Sequence, residues 1–234
     1  MDNNNTDGRA GSDAPVIRAE DAAPLLENRF LKAYDLQYAP ERHYFMASRR
    51  KREDLVAAMS PEAAKAMLPD AVTCAVILTD KDGYNARLLL NYEYRYPCGR
   101  FLLSPPAGLI DPEDSAEAAP LLTAGRREIR EETGIIVDEA RGDRLFVLSP
   151  VLFSSPGMTD ESNGIVAAVV RDSEERGISV NFDGICGTEL FEGYTLVDEE
   201  EARKILKRGR DAEGNFYSAY TALVLLYFVS GMWR

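Results

Sequence analysis

Apolar residues in this chain fall into short blocks that alternate with polar residues or run for eight or nine positions, and charged or glycine-rich turns separate them. Ala71–Thr79 (AVTCAVILT) and Arg87–Tyr96 read as strands joined by the turn Asp80-Lys81-Asp82-Gly83. Arg29–Tyr38 and His43–Arg50 predict two earlier strands, and Leu145–Phe153, Ile165–Arg171 and Phe191–Val197 three later ones. Phe101–Leu103 is a short apolar stretch that stops at Ser104-Pro105-Pro106. Helical spacing appears in Glu53–Met67, broken at Ser60-Pro61, and in Pro120–Thr133, where proline suits the first turn and Gly134 the end. Two more helices are expected at Asp198–Lys207, with Asp198 as its cap, and at Tyr217–Val229. Strands and helices alternate without a regular βαβ rhythm, which predicts an α/β fold with a mixed sheet between helices.

Composition narrows the function classes. The 234 residues carry 27 basic and 39 acidic side chains, a formal charge of −12, which argues against a general nucleic-acid or anionic-membrane binder. A small phosphorylated substrate is still compatible, because a bound metal can invert the local charge. The single histidine, His43, removes histidine-rich zinc sites from consideration. Cys74, Cys98 and Cys186 form neither a CxxC pair nor an even framework, which fits a reducing, cytoplasmic setting. By default, Cys98 is a buried small apolar residue. Residues 1–15 are polar, lack the pattern of a signal peptide and read as a disordered tail. The longest late apolar run, Ala222–Val229, is too short to span a bilayer. Residues 16–70 are expected to form N-terminal strands and short helices, and 71–234 the main domain.

The candidate chemistry lies in the helix Leu121–Thr133. Glu128, Glu131 and Glu132 stand at i, i+3 and i+4, on neighbouring helical positions. Like charges so placed repel, and a hard divalent cation would remove that cost, since Mg²⁺ prefers carboxylate and phosphate oxygens. Arg127 lies four residues before Glu131 and can buttress the cluster. The plain alternative is a solvated charged face. Upstream, Pro105-Pro106-Ala107-Gly108-Leu109-Ile110-Asp111 is a stiff turn whose glycine can bring bare backbone against a ligand.

With these flanks the sequence resembles the Nudix hydrolases. Their box runs Gly, five residues, an acid, seven residues, then Arg-Glu-apolar-x-Glu-Glu-x-Gly-apolar, and residues 127–135 match its second half at every specified position. Tyr94-Arg95-Tyr96-Pro97 and Ser155-Pro156-Gly157-Met158-Thr159-Asp160-Glu161 resemble the ADP-ribose (ADP-sugar) pyrophosphatase branch. The clear likeness covers about Leu88 to Val170, and a weaker likeness in element order runs from Arg29 to Phe228. One departure stands out: the box separates its glycine and arginine by 14 positions, whereas Gly108 and Arg127 are 19 apart. The five extra residues fall after Asp114, around Ser115–Pro120, and leave Glu113, Asp114 and Glu117 as candidate partners of Arg127.

The resemblance implies a Nudix-type α/β/α sandwich with a mixed sheet, N-terminal antiparallel strands and a homodimer in which those strands reach the partner's pocket. It implies Mg²⁺ (or Mn²⁺) held by Glu128 and Glu132, with Glu131 and the Ala107 carbonyl completing the set. It makes Glu161 the acid that activates water, places Arg127 and Glu131 in the catalytic group, and makes Arg95 and Arg49 pyrophosphate contacts. Tyr34, Tyr38 and Tyr44 could stack on adenine, although aromatic residues in strands more often fill cores. The expected reaction is hydrolysis of a nucleoside diphosphate linked to another moiety, ADP-ribose giving AMP and ribose 5-phosphate. The alternatives are another NDP-sugar or dinucleotide, or a non-catalytic nucleotide sensor.

Overall fold

The computed structural model describes residues 14–172, 179–184 and 189–234, so the expected N-terminal tail and Cys186 lie outside the described residues, save for residues 14 and 15. The chain divides into two compact units, residues 1–67 with 155–160 and residues 68–154 with 161–234.

In the first unit, β1 (Ala22–Glu27), β2 (Lys32–Ala39) and β3 (Arg42–Ser48) form an antiparallel sheet in that order. Its small core joins Ala22, Tyr34, Leu36, Met46 and Leu55. Tyr34 is a core residue whose hydroxyl donates to the Arg50 carbonyl (3.2 Å). The first expected strand starts later, at Lys32, because Arg29–Leu31 belong to the turn before β2, where Asn28 Oδ1 accepts from the backbone of Phe30 and Leu31. Strand β1 has no counterpart in the sequence reading, since APLLE contains a proline and lacks alternation. Glu53–Met67 contributes one short helix, α1 (Pro61–Ala66), capped by the Ser60 side chain on Ala63 N–H. Residues 155–160 dock on β3: Ala47 N–H donates to the Met158 carbonyl, and the Tyr44 hydroxyl to the Gly157 carbonyl (2.6 Å).

The second unit is a mixed seven-stranded sheet between helices. Its elements are β4 (Ala71–Thr79), β5 (Arg87–Arg95), β6 (Arg100–Ser104), β7 (Ala107–Leu109), α2 (Pro112–Ser115), α3 (Pro120–Thr133), β8 (Arg144–Phe153), β9 (Ser162–Arg171), β10 (Phe191–Val197), α4 (Glu199–Arg208) and α5 (Ala219–Ser230). The strand order is β10-β5-β4-β9-β8, with β4 parallel to β9 and the other pairs antiparallel. Strands β4 and β5 pair only at Ile77–Leu88 and Leu78–Arg87, and then diverge. Into the gap run β6, paired with β5, and β7, paired with β4; Cys74 N–H donates to the Pro106 carbonyl between them.

Side-chain alternation divides this sheet into two cores. Val72, Cys74, Val76, Leu78, Leu89, Val166, Ala168 and Val170 face Leu121, Ala124 and Ile129 of α3. Ala75, Ile77, Leu88, Leu90, Ile165, Ala167 and Val169 face Ala202 and Ile205 of α4 and Val224, Leu225 and Phe228 of α5. The helix ends follow the local signals: Gly134 takes the left-handed conformation (φ 70°) that closes α3, and the Asp198 side chain caps α4 through Glu201 N–H (2.8 Å). Cys74 is buried as expected of a small apolar residue, but Cys98 is exposed, because it sits in the 3₁₀ turn between β5 and β6 rather than in a strand. Among the described residues no helix is long and apolar enough to cross a membrane.

Helix α3 lies so close to the sheet that Gly164 has no room for a side chain: a Cβ there would fall 2.5 Å from Leu121 Cδ1 and 3.0 Å from the Pro150 carbonyl oxygen. Gly164→Ala is expected to lower unfolding free energy by about 1–3 kcal/mol, measured by urea denaturation. An unchanged midpoint would mean that the β8–α3 contact yields freely.

Candidate active site

The insertion between Gly108 and Arg127 resolves into two short pieces of structure. Asp111 begins α2, and its side chain and that of Asp114 cap each other's backbone. The chain then turns through residues 116–119 into α3, whose Pro120 occupies the first helical position. Of the three candidate partners of Arg127, the structure selects Asp114. Arg127 Nη2 and Nε donate to its Oδ2 at 2.8 and 3.3 Å.

The remaining donors of that guanidinium are also engaged. Nη1 reaches Glu128 Oε1 (2.7 Å) and Glu131 Oε2 (3.2 Å), and Nη2 reaches the Leu109 carbonyl (2.9 Å). All five N–H groups of Arg127 therefore bind β7, α2 and α3 together. Burial opposes its charge, but Asp114 and Glu128 raise its pKa further. Burial also works against the Asp114 carboxylate, yet hydrogen bonds from Arg127 and the Asp111 backbone hold its pKa below the usual value. Such charge-assisted contacts fix geometry more than they add stability.

Glu128 and Glu132 are buried on the sheet side of α3, whereas Glu131 is half-buried. Burial pushes Glu128 up to about 7 against the pull of Arg127, with Glu131 and Glu189 adding to the rise. Burial, then Glu93 and Glu128, push Glu132 well above the usual carboxylate range, while a hydrogen bond from Ala107 N–H opposes them. That bond reaches Glu132 Oε1 at 3.3 Å, and Asn91 Nδ2 reaches Oε2 at 3.0 Å. Gly108 lies against the other carboxylate: a Cβ there would stand 2.0 Å from Glu128 Oε1. A side chain at that position would displace the Glu128 carboxylate.

Ala107, Arg127, Glu128, Glu131 and Glu132 are thus brought together at the C-terminal part of α3. Arg95, at the end of β5, forms an ion pair with Glu93 (2.6 Å). Glu161, just before β9, lies beside Ser154, whose hydroxyl is 3.5 Å from Oε2, and beside Tyr220, whose pKa is raised by burial and by Glu161. Arg49 follows β3 in the first unit, where its carbonyl accepts from Lys32 Nζ (3.0 Å).

Sequence reasoning missed three contributors. Asn91 and Glu93 share the face of β5 that carries Leu89 toward α3 and Arg95 at its end. The alternation Asn91-x-Glu93-x-Arg95 was the signal available for them. Glu189 has its pKa raised by burial and by Glu131 and lowered by Arg95, which sets it near both. No local pattern marks it.

As the side chains stand, no group of three or more His, Cys, Asp or Glu among the described residues could hold a metal ion. The donor set nevertheless suits a hard cation. Glu128 and Glu132 are buried oxygen donors with raised pKa values, and the buried Asn91 Oδ1 has no hydrogen-bond partner among the described residues.

No family model matches the sequence. The chain is similar to a Caenorhabditis elegans protein named nudix hydrolase 2, with 36% identity over 83 residues, 36% of this chain and 33% of the relative. It is 32% identical over 101 residues to the ADP-ribose pyrophosphatase of Saccharomyces cerevisiae, 43% of this chain and 39% of that one. An uncharacterized Nudix hydrolase of Schizosaccharomyces pombe is 32% identical over 105 residues, 45% of each chain. The matched stretch thus spans less than half the length of each of these relatives.

The raised pKa of Glu128 makes a stability prediction with a definite sign. Between about pH 4.5 and 7 the folded protein keeps a proton that the unfolded chain releases, so this group's contribution falls as pH rises through that window. The metal-free protein should lose more stability from pH 5 to pH 8 than Glu128→Gln does, followed by thermal unfolding. Equal losses would show that Glu128 ionises freely in the fold.

Proposed function

We propose that this chain, a Nudix hydrolase with an ADP-ribose pyrophosphatase-like branch, hydrolyses the diphosphate bond of a nucleoside diphosphate linked to a second moiety, ADP-ribose foremost. The observation that carries this reading is the pair of buried carboxylates beside the bare backbone of Ala107-Gly108, Glu132 held by Ala107 N–H and Asn91 and Glu128 held by Arg127. A solvated acidic helix has no reason to bury two carboxylates at this cost. The similarity to the yeast ADP-ribose pyrophosphatase supports the choice of substrate.

In this reading Glu128 and Glu132, with Glu131 and the Ala107 carbonyl, hold Mg²⁺ or Mn²⁺. When bound, the metal offsets charge developing on the diphosphate and makes water more acidic. Arg95 orients the phosphate oxygens through its forked guanidinium group. Arg127 keeps Glu128 and Glu131 in place and, with its donors engaged, does not itself touch substrate. Glu161 accepts the proton of the attacking water as its oxygen bonds to phosphorus. The bridging P–O bond breaks, and AMP and ribose 5-phosphate depart.

The same reading includes a homodimer. In the N-terminal sheet and its turns Leu25, Phe30 and Phe45 are each at least 60% exposed, an apolar surface that a second copy would cover. The charge of −12 supports a small-molecule substrate rather than a nucleic acid or membrane partner, and the unpaired Cys74 and Cys98 support a cytoplasmic setting.

AMP should appear from ADP-ribose with Mg²⁺ and not with EDTA. Glu132→Gln should lower turnover at least about a hundredfold, on the scale of losing one electrostatic catalytic contact, with the fold intact by circular dichroism. Metal-dependent cleavage of a different member of a nucleoside diphosphate panel would redirect the substrate, and near-normal turnover by the folded variant would remove the carboxylates from the site. Light scattering at micromolar concentration should give twice the chain mass; a monomer would retire the dimer.

A further inference from the structure

Asn91 is fully buried in the middle of β5, bordered by Tyr194 of β10 on one side and Ser104 of β6 on the other. Its neighbours on the same face are Leu89, which packs in the core beneath α3, and Glu93. An amide in such a place is expensive unless its hydrogen bonds are made, and among the described residues only one is evident. Nδ2 donates to Glu132 Oε2 at 3.0 Å, while Oδ1 is buried with no partner among the described residues. A leucine would extend the apolar row of Leu89 without burying an unpaired amide oxygen. Stability alone therefore does not account for the asparagine.

Its one strong contact does. The Glu132 carboxylate receives two hydrogen bonds, Asn91 Nδ2 on Oε2 and Ala107 N–H on Oε1. One donor comes from β5, which borders the gap between β4 and β5, and the other from β7, which runs into it, and together they fix the rotation of the carboxylate about its last bond. We propose that Asn91 is a positioning residue that sets the Glu132 carboxylate for cation binding, at a cost to the stability of the metal-free fold. This rests on the reading of Glu132 as a metal ligand. Partners that orient a ligand in this way typically change metal affinity by about 10–100-fold when removed.

The test compares wild type, Asn91→Leu and Asn91→Ala by Mn²⁺ titration, read from the electron paramagnetic resonance of the free ion, and by thermal unfolding without metal. Asn91→Leu is expected to bind Mn²⁺ at least about tenfold more weakly while its metal-free melting temperature stays level or rises. A residue that only supports the fold would lower both together. Turnover of ADP-ribose should fall in kcat with little change in KM, and in a Glu132→Gln background the Asn91 substitution should have no further effect on Mn²⁺ affinity. If the leucine variant does not fold, Asn91→Ala, which adds no bulk, is expected to show the same loss of Mn²⁺ affinity. Wild-type Mn²⁺ affinity in either folded variant would overturn the assignment to Asn91 and leave the metal reading standing. Absence of Mn²⁺ binding by the wild type would overturn both. Mn²⁺ binding without ADP-ribose cleavage would remove the proposed substrate and leave the role of Asn91 intact.

Discussion

Buried main-chain groups must find partners, and beyond Ile77 and Leu88 the central strands β4 and β5 no longer supply each other's. The segment that enters their gap satisfies both: β6 pairs with β5, β7 pairs with β4, and the Pro106 carbonyl meets Cys74 between them. This requirement brings Ala107 and Gly108 up to α3. There the backbone meets Glu132, and the missing side chain of Gly108 leaves space for Glu128. The carboxylates are thus buried by the way the sheet is completed.

Burial then sets their chemistry. Glu128, Glu132, Glu93 and Glu189 all have raised pKa values, with burial the largest cause in each. Arg95 is taken up by Glu93, and Arg127 by Asp114, Glu128 and Glu131. Negative groups outnumber the cations around them, and that imbalance is what a divalent cation would relieve.

Much of this was legible in the sequence because the signals were local. Helix α3 runs from Pro120 to Thr133 with its glycine stop at Gly134, and β4 runs from Ala71 to Thr79, both as read from proline, glycine and apolar spacing. The acids on α3 followed from helical spacing once the helix was placed. What escaped was decided over distance. Strand β7 has three residues and exists only because β4 offers an open edge. Asn91 and Glu93 look like the polar end of any strand until α3 is laid over them, and the choice of Asp114 over Glu113 or Glu117 depends on the turn made by α2. The exposure of Cys98 likewise follows from a turn that residue type does not reveal.

The engagement of Arg127 on both flanks of the inserted residues has a consequence for how the chain tolerates change. Leu109 and Asp114 are fastened to it on one flank, Glu128 and Glu131 on the other. Residues 116–119 therefore span two anchored points, and their own hydrogen bonds are backbone contacts that close α2 and start α3 at the Ala119 carbonyl. Because the entropy of closing a loop rises only slowly with its length, such a span behaves as slack. Lengthening or shortening it would alter the outline of the molecule there without moving an acid in the site, which makes it a natural place for an added segment.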